Sequence, residues 1–121
     1  MIRFTLTGQI PSGKNAVIVT RSGNRFPAKR FKLWREDAFN QLMPYGNLKV
    51  PADWEPHVLI RYTPGDKRRR DVPGMIDALW HLMEKFGMID DDARLKHMAW
   101  TTCAVDKEKA GVDVSITDIG V

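Results

Sequence analysis

The sequence predicts an α+β domain in which about four to six strands carry two main helices packed on them. Three observations predict it. Apolar and polar residues alternate through Met1–Thr7 and His57–Tyr62, the period of a half-buried strand. Two longer stretches repeat apolar residues at helical spacing and end at Pro44 and Gly87. With 121 residues and 43% hydrophobic content the chain can bury one core, so a single domain spanning 1–121 is expected.

Taken in order, Ile2, Phe4 and Leu6 give the first strand its apolar side. Gly8–Asn15, with Pro11, Ser12 and Gly13, reads as a loop carrying Lys14 at an exposed tip. Val17–Thr20 and Arg25–Pro27, separated by Ser22-Gly23-Asn24, read as a short hairpin whose turn residues tolerate positive φ. A helix follows over Lys29–Met43, where Phe31, Trp34, Ala38 and Leu42 share a face and Pro44 stops it. Residues 44–56 are loop, and after the strand His57–Tyr62, Pro64 and Gly65 turn the chain. The second helix is marked at both ends. Pro73 suits its first turn, where a missing N–H costs nothing, and Gly87 suits the left-handed position that closes it. Met75, Ile76, Leu79, Leu82, Met83 and Phe86 form its core stripe, with Asp77, His81, Glu84 and Lys85 opposite. Arg94–Ala104 and Val112–Ile119 are the last pair of strands, joined by a polar turn over 106–111.

The net charge of +4 conceals a segregation of charge. Residues 1–35 contain eight Lys or Arg and no acid, so the remainder sums to −4. Such a field gathers a phosphate backbone over one surface and leaves carboxylates elsewhere for a metal. The segment from Lys67 to Asp92 repeats this on a smaller scale: four cations, Asp71, one amphipathic helix, then Asp90, Asp91 and Asp92. No apolar run reaches the ~20 residues that span a bilayer, and the first residues do not read as a signal peptide, so a cytoplasmic location without membrane attachment is expected. Cys103 has no partner for a disulfide and reads as a small buried strand residue without a functional role. His57 and His97 lack partners at ligand spacing and read as structural.

The run RRRDVPGMIDALWHLMEKFGMIDDDARL resembles the RusA family of phage and prophage Holliday-junction resolvases. That family's signature is a basic run, Asp-x-Asp-Asn, a helix, then Gly and an Asp-Asp pair. Asp71 to Gly87 keeps its spacing without a gap, and Pro11-Ser12-Gly13-Lys14-Asn15 is similar to the family's N-terminal Pro-Ser-x-Asn loop. The resemblance implies a RusA-like fold with a mixed sheet flanked by helices, a two-fold homodimer, and a Mg²⁺-dependent endonuclease, with Mn²⁺ as a substitute ion. It implies branched DNA as substrate, in recombination and repair, and a bacterial host cell as the setting. Matched position by position, Asp71 and Asp92 carry over as metal-binding carboxylates, with Asp91 the less favoured member of its pair. Pro73 and Gly74 stand where the family has its second aspartate and the asparagine, and Asp77 stands in place of a helix lysine.

Hydrolysis of a phosphodiester calls for a metal with about two or three carboxylate ligands, the rest being left to water and phosphate. Asp77, on the polar face of the helix, is the expected replacement for the ligand lost at Pro73, so the expected catalytic set is Asp71, Asp77 and Asp92. His81, one turn further, is expected to support that site from behind or to touch phosphate. Lys67, Arg68, Arg69 and Arg70 are expected to position the DNA backbone, with Lys14, Arg21 and Arg25 extending the surface. Simpler roles stand beside these: Asp71 as a helix cap, Asp90–Asp92 as a solvated turn, Asp77 and His81 as an exposed pair, and the basic run as a solubilising loop. The alternative function is a non-catalytic DNA-binding homologue that has lost part of its metal site, and a third reading is a protein-interaction module with a basic face.

Overall fold

A computed structural model describes residues 1–11, 17–19, 21–23 and 25–120, with the backbone alone at 17–19 and 25–27. Among these residues six strands and two α-helices follow one another as β1 (Ile2–Thr7), β2 (Val17–Val19), β3 (Arg25–Pro27), α1 (Lys29–Leu42), β4 (Pro56–Thr63), α2 (Val72–Phe86), β5 (His97–Thr102) and β6 (Gly111–Asp118). β2 and β3 form the expected antiparallel hairpin, with Gly23 at φ +84° in its turn. The other four strands make a mixed sheet in the order β1-β6-β4-β5. β1 and β4 run antiparallel to β6, and β5 runs parallel to β4. The sheet and two helices are the α+β arrangement that the sequence predicts.

Register places the apolar side chains in rows across the strands. Phe4 pairs with Val114, Val114 with Ile60, and Ile60 with Trp100. Leu6, Val112 and Tyr62 form a second row, and Ile2, Ile116, Val58 and Met98 a third. α2 lays Met75, Ala78, Leu79, Leu82 and Met83, all buried, into this cluster. Ile76 and Phe86, the flanks of its expected stripe, are only half-buried. α1 adds Phe31, Ala38 and Leu42, and meets α2 edge-on through Phe39 and Phe86, with ring centroids 5.3 Å apart. The opposite face of the sheet is largely polar, with Thr5 Oγ1 donating to Asp113 Oδ1 at 2.6 Å.

Three expectations change. The last two strands follow one another in sequence but are not neighbours, because β4 lies between them. The expected strand beginning at Arg94 starts at His97, since Asp92–Arg94 form a 3-10 turn. Cys103 falls just beyond β5, half-buried rather than buried, with Arg61 Nη2 3.9 Å from its sulfur.

Gly111 opens β6 at φ +144°, and a Cβ there would overlap the Leu6 carbonyl oxygen on β1. Gly87 is left-handed at φ +90° with open space around it. Gly111→Ala is therefore expected to lower the unfolding free energy in urea by more than Gly87→Ala, for which the left-handed backbone alone costs about 1–2 kcal/mol.

Candidate functional site

The two ends of α2 gather the charged residues. At its start Asp71 caps the helix: Oδ1 accepts from Gly74 N at 3.2 Å, with Pro73 in the first turn. The preceding basic run is ordered by an acid that sequence reading passed over. Asp66 Oδ1 accepts from Arg68 N at 2.9 Å, and both its oxygens lie within 3.1 Å of Arg70 Nη2. The backbone N–H of Arg68, then the Arg70 and Arg68 guanidiniums, hold the Asp66 carboxyl below its usual range against the opposing effect of desolvation. Arg70 is thus drawn in, its side chain 22% exposed, whereas Arg68 stays 81% exposed. Lys67 and Arg69 are also exposed.

At the other end Gly87 N bonds Glu84 O at 3.1 Å, and Met88 N bonds Met83 O at 2.9 Å. This reversal buries Met88 and Ile89, and Val50 N binds the Met88 carbonyl at 2.8 Å. Asp91 then caps the short 3-10 turn, Oδ1 accepting from Ala93 N at 2.9 Å. The consequence is a convergence: one carboxylate oxygen each from Glu84, Asp91 and Asp92 lies within 4.8 Å of the others. All three residues are exposed, and Asp90 is outside the group. Sequence reading placed Glu84 on the polar face but gave it no role; its position one turn before the Gly87 stop was the available signal.

His81 borders this group. Its ring centroid is 5.7 Å from that of Phe31, and Arg35 Nη1 lies 3.4 Å from its Nε2, a contact suited to the neutral imidazole. Desolvation lowers its pKa, Arg35 and Lys85 lower it further, and Glu84 and Asp92 oppose them.

Asp71 and Asp77 do not belong to the carboxylate group. Glu84 follows Asp71 by thirteen residues and Asp77 by seven, which at ~1.5 Å per residue puts it roughly 20 Å and 10 Å further along the axis. Lys14 and the Arg25 side chain lie outside the described residues, and Arg21 is exposed. Lys29, Arg30 and Lys32, also exposed, crowd the first turn of α1 with no acid among them. Cations there oppose the helix dipole, an arrangement better suited to meeting an external anion than to stabilising the helix.

No family model matches the chain. Among curated proteins it is 32% identical over 103 residues to the crossover junction endodeoxyribonuclease RusA of Aquifex aeolicus (strain VF5), covering 84% of this chain and 79% of that relative. The chain belongs to the RusA family.

The carboxylate group of this RusA-family chain suits a divalent metal. Its three donors are hard oxygens open to solvent, which leaves room for water and phosphate. Among the described residues none of the three is in an ion pair. No helix among the described residues is long and apolar enough to cross a membrane.

The displaced titration of His81 gives a test of this geometry. With its folded value below the 6.5 of the unfolded chain, the unfolded state takes up the proton first. The group therefore favours unfolding as pH falls below about 6.5 and adds no pH dependence well above it. An NMR titration is expected to place the His81 midpoint below 6.5, raised by Arg35→Met and lowered further by Glu84→Gln.

Proposed function

We propose that this chain is a metal-dependent endodeoxyribonuclease that cuts Holliday junctions or other branched DNA, using Mg²⁺ or Mn²⁺ and acting as a homodimer. Its setting is the cytoplasm of a bacterial host, encoded there by a phage or prophage, as the family resemblance implies. The observation that carries the reading is the convergence of Glu84, Asp91 and Asp92 within a RusA-family chain.

Glu84, Asp91 and Asp92 would hold the ion. When bound, it supplies polarisation of the scissile phosphate and a lowered pKa for the attacking water. His81 stands beside the ligands and steadies their field or contacts phosphate. Lys67, Arg68 and Arg69 hold the DNA backbone, with Lys14, Arg21 and Arg25 as further contacts; Arg70, engaged by Asp66, shapes the loop that presents them. Asp71, matched to the family, and Asp77 are the remaining proposed ligands, set apart from this group along α2.

Cleavage of a synthetic junction is expected to require the metal. Glu84→Gln or Asp92→Asn is expected to raise the Mg²⁺ needed for half-maximal cutting about 10- to 100-fold, with junction binding retained. Binding without cutting by the parent at any Mg²⁺ or Mn²⁺ level would instead favour the non-catalytic homologue suggested by Pro73. Asp71→Asn keeps a capping oxygen. Lost cutting at unchanged thermal stability assigns Asp71 to the metal site, and full activity leaves it a structural role alone. Asp77→Asn, assayed at limiting Mg²⁺, decides in the same way whether Asp77 is a ligand.

Salt dependence tests the basic run separately. Arg68→Gln is expected to reduce the slope of log affinity against log salt by about one, whatever the sequence of the junction arms.

A further inference from the structure

Beside the carboxylate group, and sharing Asp91 with it, a cleft of ≈ 420 Å³ opens between residues 54–56 and residues 91–97. Trp54, Glu55, Arg94, Lys96 and His97 line it together with Asp91. The loop that presents Trp54 has no regular secondary structure, yet it is firmly held. Arg94 Nη2 donates to the carbonyls of Pro51 at 2.8 Å and Trp54 at 3.1 Å, and Trp54 N bonds Pro51 O at 3.1 Å. Asp118 Oδ1 accepts from Glu55 N at 3.0 Å, and Ile119 N binds the Glu55 carbonyl at 2.8 Å. Glu55 Oε1 in turn lies 3.0 Å from His97 Nε2.

Charge decides what such a cleft accepts. The carboxylates of Glu55 and Asp91 face the cations of Arg94 and Lys96, and the Arg94 guanidinium is already engaged by two carbonyls. A phosphate would therefore meet as many carboxylates as cations, with no net positive charge to hold it. A flat neutral group with hydrogen-bonding edges suits the cleft better: the half-buried indole of Trp54 offers a stacking face, and the His97–Glu55 pair offers polar edges. The loop is fixed beforehand, so binding need not order it.

We propose that this cleft receives one unpaired nucleobase of the DNA strand being cut, next to the phosphate at the carboxylate group. Trp54 stacks on the base, His97 and Glu55 read its edge, and Lys96 meets the adjoining backbone. The inference rests on the endonuclease reading and adds to it a determinant of where in the sequence the strand is cut.

Junction DNA carrying 5-iodouracil at successive positions is bound without added metal, so that it stays intact, then irradiated and mapped by mass spectrometry. A crosslink to Trp54 from one position next to the cut is expected. Junction that binds but crosslinks only elsewhere overturns the cleft assignment and leaves the endonuclease reading standing; failure to bind junction overturns both. Trp54→Leu is expected to flatten the base preference of cutting and weaken binding of the preferred junction roughly tenfold, whereas Trp54→Phe keeps the preference. Lys96→Gln, on an exposed side chain, guards against misfolding of the Trp54 variants: it is expected to weaken the preferred junction more than a junction with the disfavoured base. An unchanged base preference in Trp54→Leu, with native thermal stability, overturns the proposal.

Discussion

Two parallel strands cannot be joined by a tight turn, so the chain leaving β4 must travel back along the sheet before β5 can begin. α2 makes that journey, and its 15 residues span about 22 Å. The separation of Asp71 from Asp91 and Asp92 follows, since one precedes the helix and the others come after it. So does the company each keeps. The start of α2 adjoins the basic run held by Asp66, while its end adjoins the 3-10 turn that carries Asp91 and Asp92. Burial of Met75, Ala78, Leu79, Leu82 and Met83 fixes the helix in place, and the polar face it leaves outward includes Asp77, His81 and Glu84.

Charge is distributed against local stability in two places. The first turn of α1 carries cations where its dipole favours anions, and three carboxylates crowd the end of α2. A helix selected for stability alone would exchange these signs. Neither placement of charge stabilises the helix it adjoins. Elsewhere the polar groups serve structure: Asp66 orders a loop, Arg94 ties down another, and Asp106 caps a turn by accepting from Glu108 N at 3.0 Å.

Much of the fold was legible because its signals are local. Alternation marked β1 and β4, helical spacing marked both helices, and Pro44 and Gly87 marked where they stop. The boundary at β5 was misread because Arg94 belongs to a loop anchor; its partners, the carbonyls of Pro51 and Trp54, lie some forty residues earlier in the chain. Asp91 and Asp92 could be singled out by their adjacency. Glu84 offered only its place one turn before Gly87, since its meeting with them depends on how Met88 and Ile89 are buried, and the Trp54 cleft is lined by two segments far apart in sequence.

The sequence by itself determined the periodicities, the helix ends, the segregation of charge and the resemblance to RusA, all of which reside in neighbouring residues or fixed spacings. Strand order, the interposition of β4 between β5 and β6, and the grouping of Glu84 with Asp91 and Asp92 were decided by tertiary structure. Periodicity tells each strand and helix which face to bury. Only the packing of those faces against one another determines which distant side chains share a point in space.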